Sequence, residues 1–169
     1  MKKHLLAALA ILAAGCASTA DDGTLVGRVR FIDTNGQPHG DASLFSVAEG
    51  IRIVANVPGV AAGAHGFHVH AVGSCQAPTF ETAGPHFNPT NRQHGSQNPN
   101  GPHAGDLPNF EGGGATVNLV AANLQVTGPN SIFDTDGSAL VLHANADDLR
   151  TDPSGNSGAR ILCGVIERP

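Results

Sequence analysis

The sequence predicts an all-β protein, a Greek-key antiparallel β-sandwich or barrel of about eight strands carrying two long functional loops. Three observations predict it. Short apolar runs alternate with polar residues and are punctuated by turn signals. Glycine (22) and proline (11) are abundant, while aromatic residues make up only 4%. No stretch keeps the 3.6-residue apolar period of a helix long enough to build one. Together these favour strands joined by turns and loops over a helical bundle.

The first strand pattern is residues 24–32 (TLVGRVRFI), with Leu25, Val29 and Phe31 on one side and Arg28 and Arg30 on the other. Asp33-Thr34-Asn35-Gly36 is a turn signal, and His39 sits in a second turn, Gln37-Pro38-His39-Gly40. A weaker apolar run at 43–48 and a third pattern at 51–57, stopped by Pro58-Gly59, follow. Later runs at 67–70, 115–120, 139–143 and 160–166 complete the set. Two segments break the rhythm. In residues 84–108, thirteen of twenty-five positions are Gly, Pro or Asn, and residues 144–158 are polar and irregular. A structureless loop of the first length is uncommon unless something besides an apolar core orders it, and a bound metal does that.

The ends and the charge bound the setting. Met1-Lys2-Lys3-His4 and the apolar run 5–14 read as a secretory signal, residues 1–15, too short for a permanent membrane span. Leu12-Ala13-Ala14-Gly15-Cys16 resembles a bacterial lipobox that would lipidate Cys16, leaving a short tether (16–23) before a single domain (24–169). Cleavage after Ser18-Thr19-Ala20 is the alternative, and it discards Cys16. Either way the expected location is the periplasm, lipid-anchored to the outer membrane in the first case and soluble in the second. Cys75 and Cys163 then remain, an even pair that reads as one disulfide in an exported chain. Beyond Lys2 and Lys3 the chain has no lysine, and seven arginines face fourteen carboxylates. That balance excludes a nucleic-acid partner, which requires basic patches.

Histidine carries the chemistry. Six of nine histidines fall between His65 and Asp106. His68 and His70, two apart on a strand, project from the same face and can converge on one ion, while Phe67 and Val69 face the core. His86, His94, His103 and Asp106 offer three imidazoles and one carboxylate, a donor set suited to a closed tetrahedral zinc site.

In order along the chain, HGFHVH, AGPHFNP, HxGDLPN, HANADD and GNSGARILCGVI resemble copper/zinc superoxide dismutase, and the resemblance spans essentially the whole mature chain. It implies a copper site of His68, His70, His86 and His143 and a zinc site of His86, His94, His103 and Asp106, one ion of each per chain, with His86 bridging. Superoxide would be converted to dioxygen and hydrogen peroxide by alternate reduction and reoxidation of copper. His86 and Arg160 are the implied catalytic side chains, the arginine orienting the small anion. Asp147 is implied to link His68 to His94, Cys75 and Cys163 to form the family disulfide, and His65 to hold loops together. Asp148 reads as a solvated turn residue.

One region departs from the family pattern: the lysine-free loop 148–158. Steering of superoxide would rest on Arg160, with Arg150 and Arg92 as further candidates, so kcat/KM is expected to depend only weakly on salt. Two other classes compete. A non-enzymatic copper/zinc-binding protein of the same fold would be favoured by lost ligands, and none is lost. A zinc hydrolase would need an open zinc position, which four filled positions deny. Any membrane contact would run through Cys16, and the sequence leaves monomer and homodimer equally open.

Overall fold

The computed structural model describes residues 23–114 and 116–169. The expected signal, Cys16 and all of the tether but Gly23 lie outside the described residues, as does Ala115.

Nine strands form among the described residues: β1 (Thr24–Asp33), β2 (Pro38–Val47), β3 (Gly50–Asn56), β4 (Gly63–His65), β5 (Phe67–His70), β6 (Phe110–Gly112), β7 (Thr116–Ala121), β8 (Ala139–His143) and β9 (Arg160–Glu167). A single 3-10 turn, Glu81–Ala83, is the one helical element among the described residues. Seven strands make one antiparallel sheet in the order β5-β8-β9-β1-β2-β3-β7, and β4 pairs with β6. β1, β2 and β3 are successive hairpins. The chain then leaves to the far edge for β5, returns to lay β7 beside β3, and crosses back for β8 and β9 against β1. These crossings are Greek-key connections.

Alternation builds the core. Val29 and Phe31 of β1, Ala42 and Leu44 of β2, Ile51, Ile53 and Ala55 of β3, and Leu140 and Leu142 of β8 all enter one buried cluster. Two local expectations change. A register shift between Leu25 and Gly27 marks a bulge in β1, and Val26 rather than Leu25 packs on the core. β2 begins five residues earlier than its apolar run, so His39 lies in a strand, half-buried, rather than in a turn. β4 and β6, three residues each, add to the expected strands.

Two features bear on the site. β8 is buried at all five positions, because a second, smaller cluster of Phe80, Ala83, Ala139, Val141 and Cys163 covers its outer face. β5 is an edge strand, yet its free edge is paired. Val69 N–H donates to Gly105 O (2.9 Å), Phe87 N–H to Val69 O (2.8 Å) and Gly105 N–H to Phe87 O (2.9 Å). Loop 84–108 is thus stitched to β5 by backbone bonds.

Candidate metal centre

Strand geometry delivers the side chains. Within β5, Phe67 and Val69 face the core, and His68 and His70 project from the other face under the loops, themselves buried. His143 ends β8, opposite Arg160 at the start of β9. Isolated bridges pair His70 with His86 and His68 with Asp106, which brings the loop donors against β5.

Four ring nitrogens then converge. Those of His68, His70, His86 and His143 lie within 4.8 Å of one another. His68 Nδ1, His70 Nε2, His86 Nε2 and His143 Nε2 are buried and have no hydrogen-bond partner. The opposite nitrogen of each ring has an acceptor: Asp147 Oδ2 for His68 (2.7 Å), Gly84 O for His70 (2.8 Å), Gly158 O for His143 (3.1 Å) and Asp106 Oδ1 for His86 (2.9 Å). Protons therefore sit on the outer nitrogens of His68, His70 and His143, and lone pairs face inward. Burial holds all four rings below the ordinary histidine value, His86 to about 4 and His143 to about 3, so they stay neutral. Buried lone pairs without donors are costly unless a cation satisfies them. An all-imidazole set fits copper.

The second set is built on one carboxylate oxygen. Asp106 Oδ1 lies 2.9 Å from His86 Nδ1, 3.1 Å from His94 Nδ1 and 3.2 Å from His103 Nδ1. Around a tetrahedral zinc with bonds of about 2.0–2.1 Å, donors sit roughly 3.3 Å apart. The set is therefore close to the edges of such a tetrahedron. The other oxygen, Oδ2, accepts the backbone N–H of Gly95 (2.9 Å) and His103 (3.0 Å), which fixes the carboxylate. Burial favours the protonated acid, but His103, His86 and His94 outweigh it and hold Asp106 far below the usual carboxylate range. His86 belongs to both sets, offering Nε2 to one and Nδ1 to the other.

Asp147 braces the two sets. Its Oδ2 takes His68 Nε2 and its Oδ1 takes His94 Nε2 (3.0 Å) and the backbone N–H of Leu149 (2.6 Å). Burial opposes its ionisation, yet the imidazoles hold its carboxyl well down. His94, despite burial, is raised to about 9 by Asp106 and Asp147. His68, His94 and Asp147 also cluster within 4.8 Å, but they meet through the outer ring nitrogens, so they form a brace between the two sets.

Two residues that sequence reasoning did not single out complete the brace. Asn109 clamps the Asp147 backbone with Nδ2 to O (2.9 Å) and N to Oδ1 (2.8 Å). Gly155, at φ +63°, packs so closely on Asp147 that a β-carbon would occupy the carboxylate's place. Asn109 was within reach, because it closes the GDLPN motif. Gly155 opens the GNSGAR motif, but nothing local in that motif pointed to its contact with Asp147.

Arg160 is half-buried beside this centre. It donates from Nη1 to Phe80 O (2.6 Å) and from Nη2 to Gly84 O (2.8 Å), the carbonyl that also accepts from His70. Cys75 and Cys163 are joined in a disulfide with Cα atoms 5.6 Å apart, packed against Phe80. His65 stands outside both sets, with Nδ1 2.9 Å from His143 O and Nε2 3.1 Å from Ala61 O, and so ties β4 to the end of β8. Arg92 and Arg150 are exposed and tied to loops, through Gly101 O (2.8 Å) and Gln97 Oε1 (3.0 Å). Asp148 caps its turn through the N–H groups of Arg150 and Thr151.

The chain was compared with known proteins. The family model described as copper/zinc superoxide dismutase matches residues 26–166. Superoxide dismutase [Cu-Zn] 2 of Aquifex aeolicus is 41% identical over 148 residues, 84% of this chain and 86% of that protein. The superoxide dismutase-like protein YojM of Bacillus subtilis is 50% identical over 106 residues, 60% of this chain and 54% of that one. A solved structure of a SOD-like protein from Bacillus subtilis superposes with a TM-score of 0.79 at 42% identity, covering 82% of this chain and 96% of that chain.

Proposed function

Because this chain belongs to the copper/zinc superoxide dismutase family, we propose that it is an active superoxide dismutase, with copper held by His68, His70, His86 and His143 and zinc by His86, His94, His103 and Asp106. One observation carries the reading: four buried, unpartnered imidazole nitrogens stand beside a three-imidazole, one-carboxylate set, and one ring serves both. Both donor sets are complete, which also leaves no open zinc position for hydrolytic chemistry.

When bound, copper supplies the one-electron exchange that turns superoxide into dioxygen and hydrogen peroxide in alternate turns, and zinc supplies fixed positive charge. The chain's own groups do the rest. Phe80 O and Gly84 O hold the Arg160 guanidinium in one plane, and its remaining N–H groups are free to orient a small anion. His86 Nε2, buried and without a hydrogen-bond partner, is the ring atom placed to hold a proton for the reduced anion. Asp147, Gly84 O and Gly158 O keep the other three rings neutral and aimed inward. The basic start and apolar run of residues 1–14 support export to the periplasm, and the lipobox-like 12–16 supports anchoring through Cys16.

The test is one preparation of mature protein, assayed for bound copper and zinc and for consumption of superoxide. One of each metal per chain with rapid dismutation is the expected result. Full loading with no dismutation would refute the enzyme and leave a metal-binding protein of the same fold.

A further inference from the structure

Each imidazole of a metal centre needs an acceptor for the nitrogen it turns away from the ion, because that bond sets the tautomer and aims the ring. Four of the rings here are accounted for. His68 and His94 use Asp147, His70 uses Gly84 O, and His143 uses Gly158 O. His86 turns both nitrogens inward. His103 is the remaining one. Its Nδ1 faces Asp106, and its outer Nε2 lies 3.8 Å from Asp152 Oδ1, longer than a direct hydrogen bond but the nearest carboxylate contact of that nitrogen. That same oxygen accepts the backbone N–H of His94 at 2.6 Å.

Asp152 comes from loop 144–158, and both of its neighbours come from loop 84–108. It sits within a longer seam between these loops. Gln97 N–H donates to Leu149 O (2.9 Å), Asn98 Nδ2 to Arg150 O (3.3 Å) and Arg150 Nη2 to Gln97 Oε1. Gly95 lies so close to Leu149 O that no β-carbon fits between them. At one end of this seam a cavity of about 560 Å³ opens between His86, His103, Asp152 and Pro153. Asp152 thus lines an opening that also reaches His86 and His103.

We infer that Asp152 is a positioning residue of the zinc half of the centre, fixing His94 through its backbone and His103 through its outer ring nitrogen. It completes on the solvent side what Asp147 does on the buried side. The inference rests on the zinc assignment proposed above. Asp147 connects the two sets, so its loss disturbs copper and zinc together. Among the donor residues, Asp152 has polar contacts with His94 and His103, so its loss should be felt chiefly at zinc.

The experiment uses the full mature chain. Zinc affinity is measured by competition with a chromophoric chelator, and geometry by the visible spectrum of cobalt(II) placed in the zinc site. Asp152→Ala should loosen zinc about 10–100-fold, the usual cost of removing a ligand's orienting partner. It should alter the cobalt bands and leave the copper(II) absorption unchanged. Asp152→Asn keeps an oxygen for the His94 N–H and loses the charge facing His103, so it should fall between parent and alanine. If the alanine variant does not fold, the asparagine variant carries the test. Asp134→Ala, at the rim of the same cavity, should behave as parent. Parental zinc affinity and cobalt spectrum in the Asp152 variants, or equal loosening by Asp134→Ala, would overturn the inference. His103→Ala separates the two levels. If it loses zinc while Asp152→Ala does not, only the role of Asp152 fails. If it too keeps zinc, the ligand assignment fails with it.

Discussion

Gly155→Ala should damage the centre without touching a metal donor, and a second glycine isolates why. Gly155 has φ +63°, and an alanine β-carbon there would collide with Asp147 Oδ1 and come within 2.6 Å of His94 Nε2. Carboxylates at the end of a side chain usually swing aside. This one is pinned by His68, His94 and Leu149 N–H, and its backbone is clamped by Asn109. The left-handed backbone alone costs a non-glycine residue roughly 1–2 kcal/mol. Forcing an extra methyl into a fixed packing adds roughly 1–3 kcal/mol. For a domain of this size the sum corresponds to a fall in Tm of roughly 5–15 °C. Gly36 is the control, with φ +77° and nothing within 4 Å of the added carbon. Gly36→Ala should carry the backbone cost alone, roughly 3–7 °C. Calorimetry of the metal-free proteins, with zinc content after reloading, reads both. If Gly155→Ala melts no lower than Gly36→Ala and reloads zinc normally, the Asp147 carboxylate is not pinned, and the account of the brace is wrong.

His143→Ala should abolish copper binding and cut dismutation by at least about 100-fold, since even an orienting partner is worth 10–100-fold, while zinc stays near one per chain; loss of both metals would show that the two donor sets are not separable. The metal-free protein should lose stability as pH falls from about 6.5 toward 4. His68, His70, His86 (about 4) and His143 (about 3) are depressed by burial, so in that window the unfolded chain takes up protons that the folded chain refuses. His94, raised to about 9, runs the other way and gives up its contribution as pH rises from about 6.5 to 9. Urea midpoints that hold steady or increase on acidification from pH 6.5 to about 4.5 would contradict this balance of four rings against one. Replacing both Cys75 and Cys163 by serine removes a cross-link across a sequence separation of 88, worth about 4.6 kcal/mol in the chain-entropy model. A urea-unfolding free energy within about 1 kcal/mol of the parent would mean the loop is already restrained when unfolded.

What was legible in the sequence had a local period or a dense chemical signature. Alternation at 24–32 and 51–57 gave β1 and β3, and the histidine spacing gave the His68/His70 pair and the set of His86, His94, His103 and Asp106, while His143 and the sharing of His86 came only through the family resemblance. β4 and β6 were not legible, because three residues display no period. The β1 bulge was not legible because alternation alone assumes unbroken register, and the bulge turns Val26 inward in place of Leu25. Asp152 and Gly155 were hidden for another reason. The role of Asp152 is set by His94, which the opposite loop brings from 58 positions away, and that of Gly155 by where the Asp147 carboxylate is held between His68 and His94. Asp147 came through its motif, while Asp152 sits in a stretch, Arg150 to Ser154, that reads as an ordinary polar turn.

The backbone pairing of β5 with the donor loop has a bearing on solubility. Edge strands with bare N–H and C=O groups are templates on which another chain can add a strand. Here that edge, flanked by Phe67 and Val69, is occupied by Phe87 and Gly105 of the segment that supplies His86, His103 and Asp106. Whatever holds that segment in place also keeps a sticky margin of the sheet out of reach of neighbouring molecules. A chain that fails to close its donor loop therefore loses more than a reactive centre: it presents an adhesive seam to its own copies.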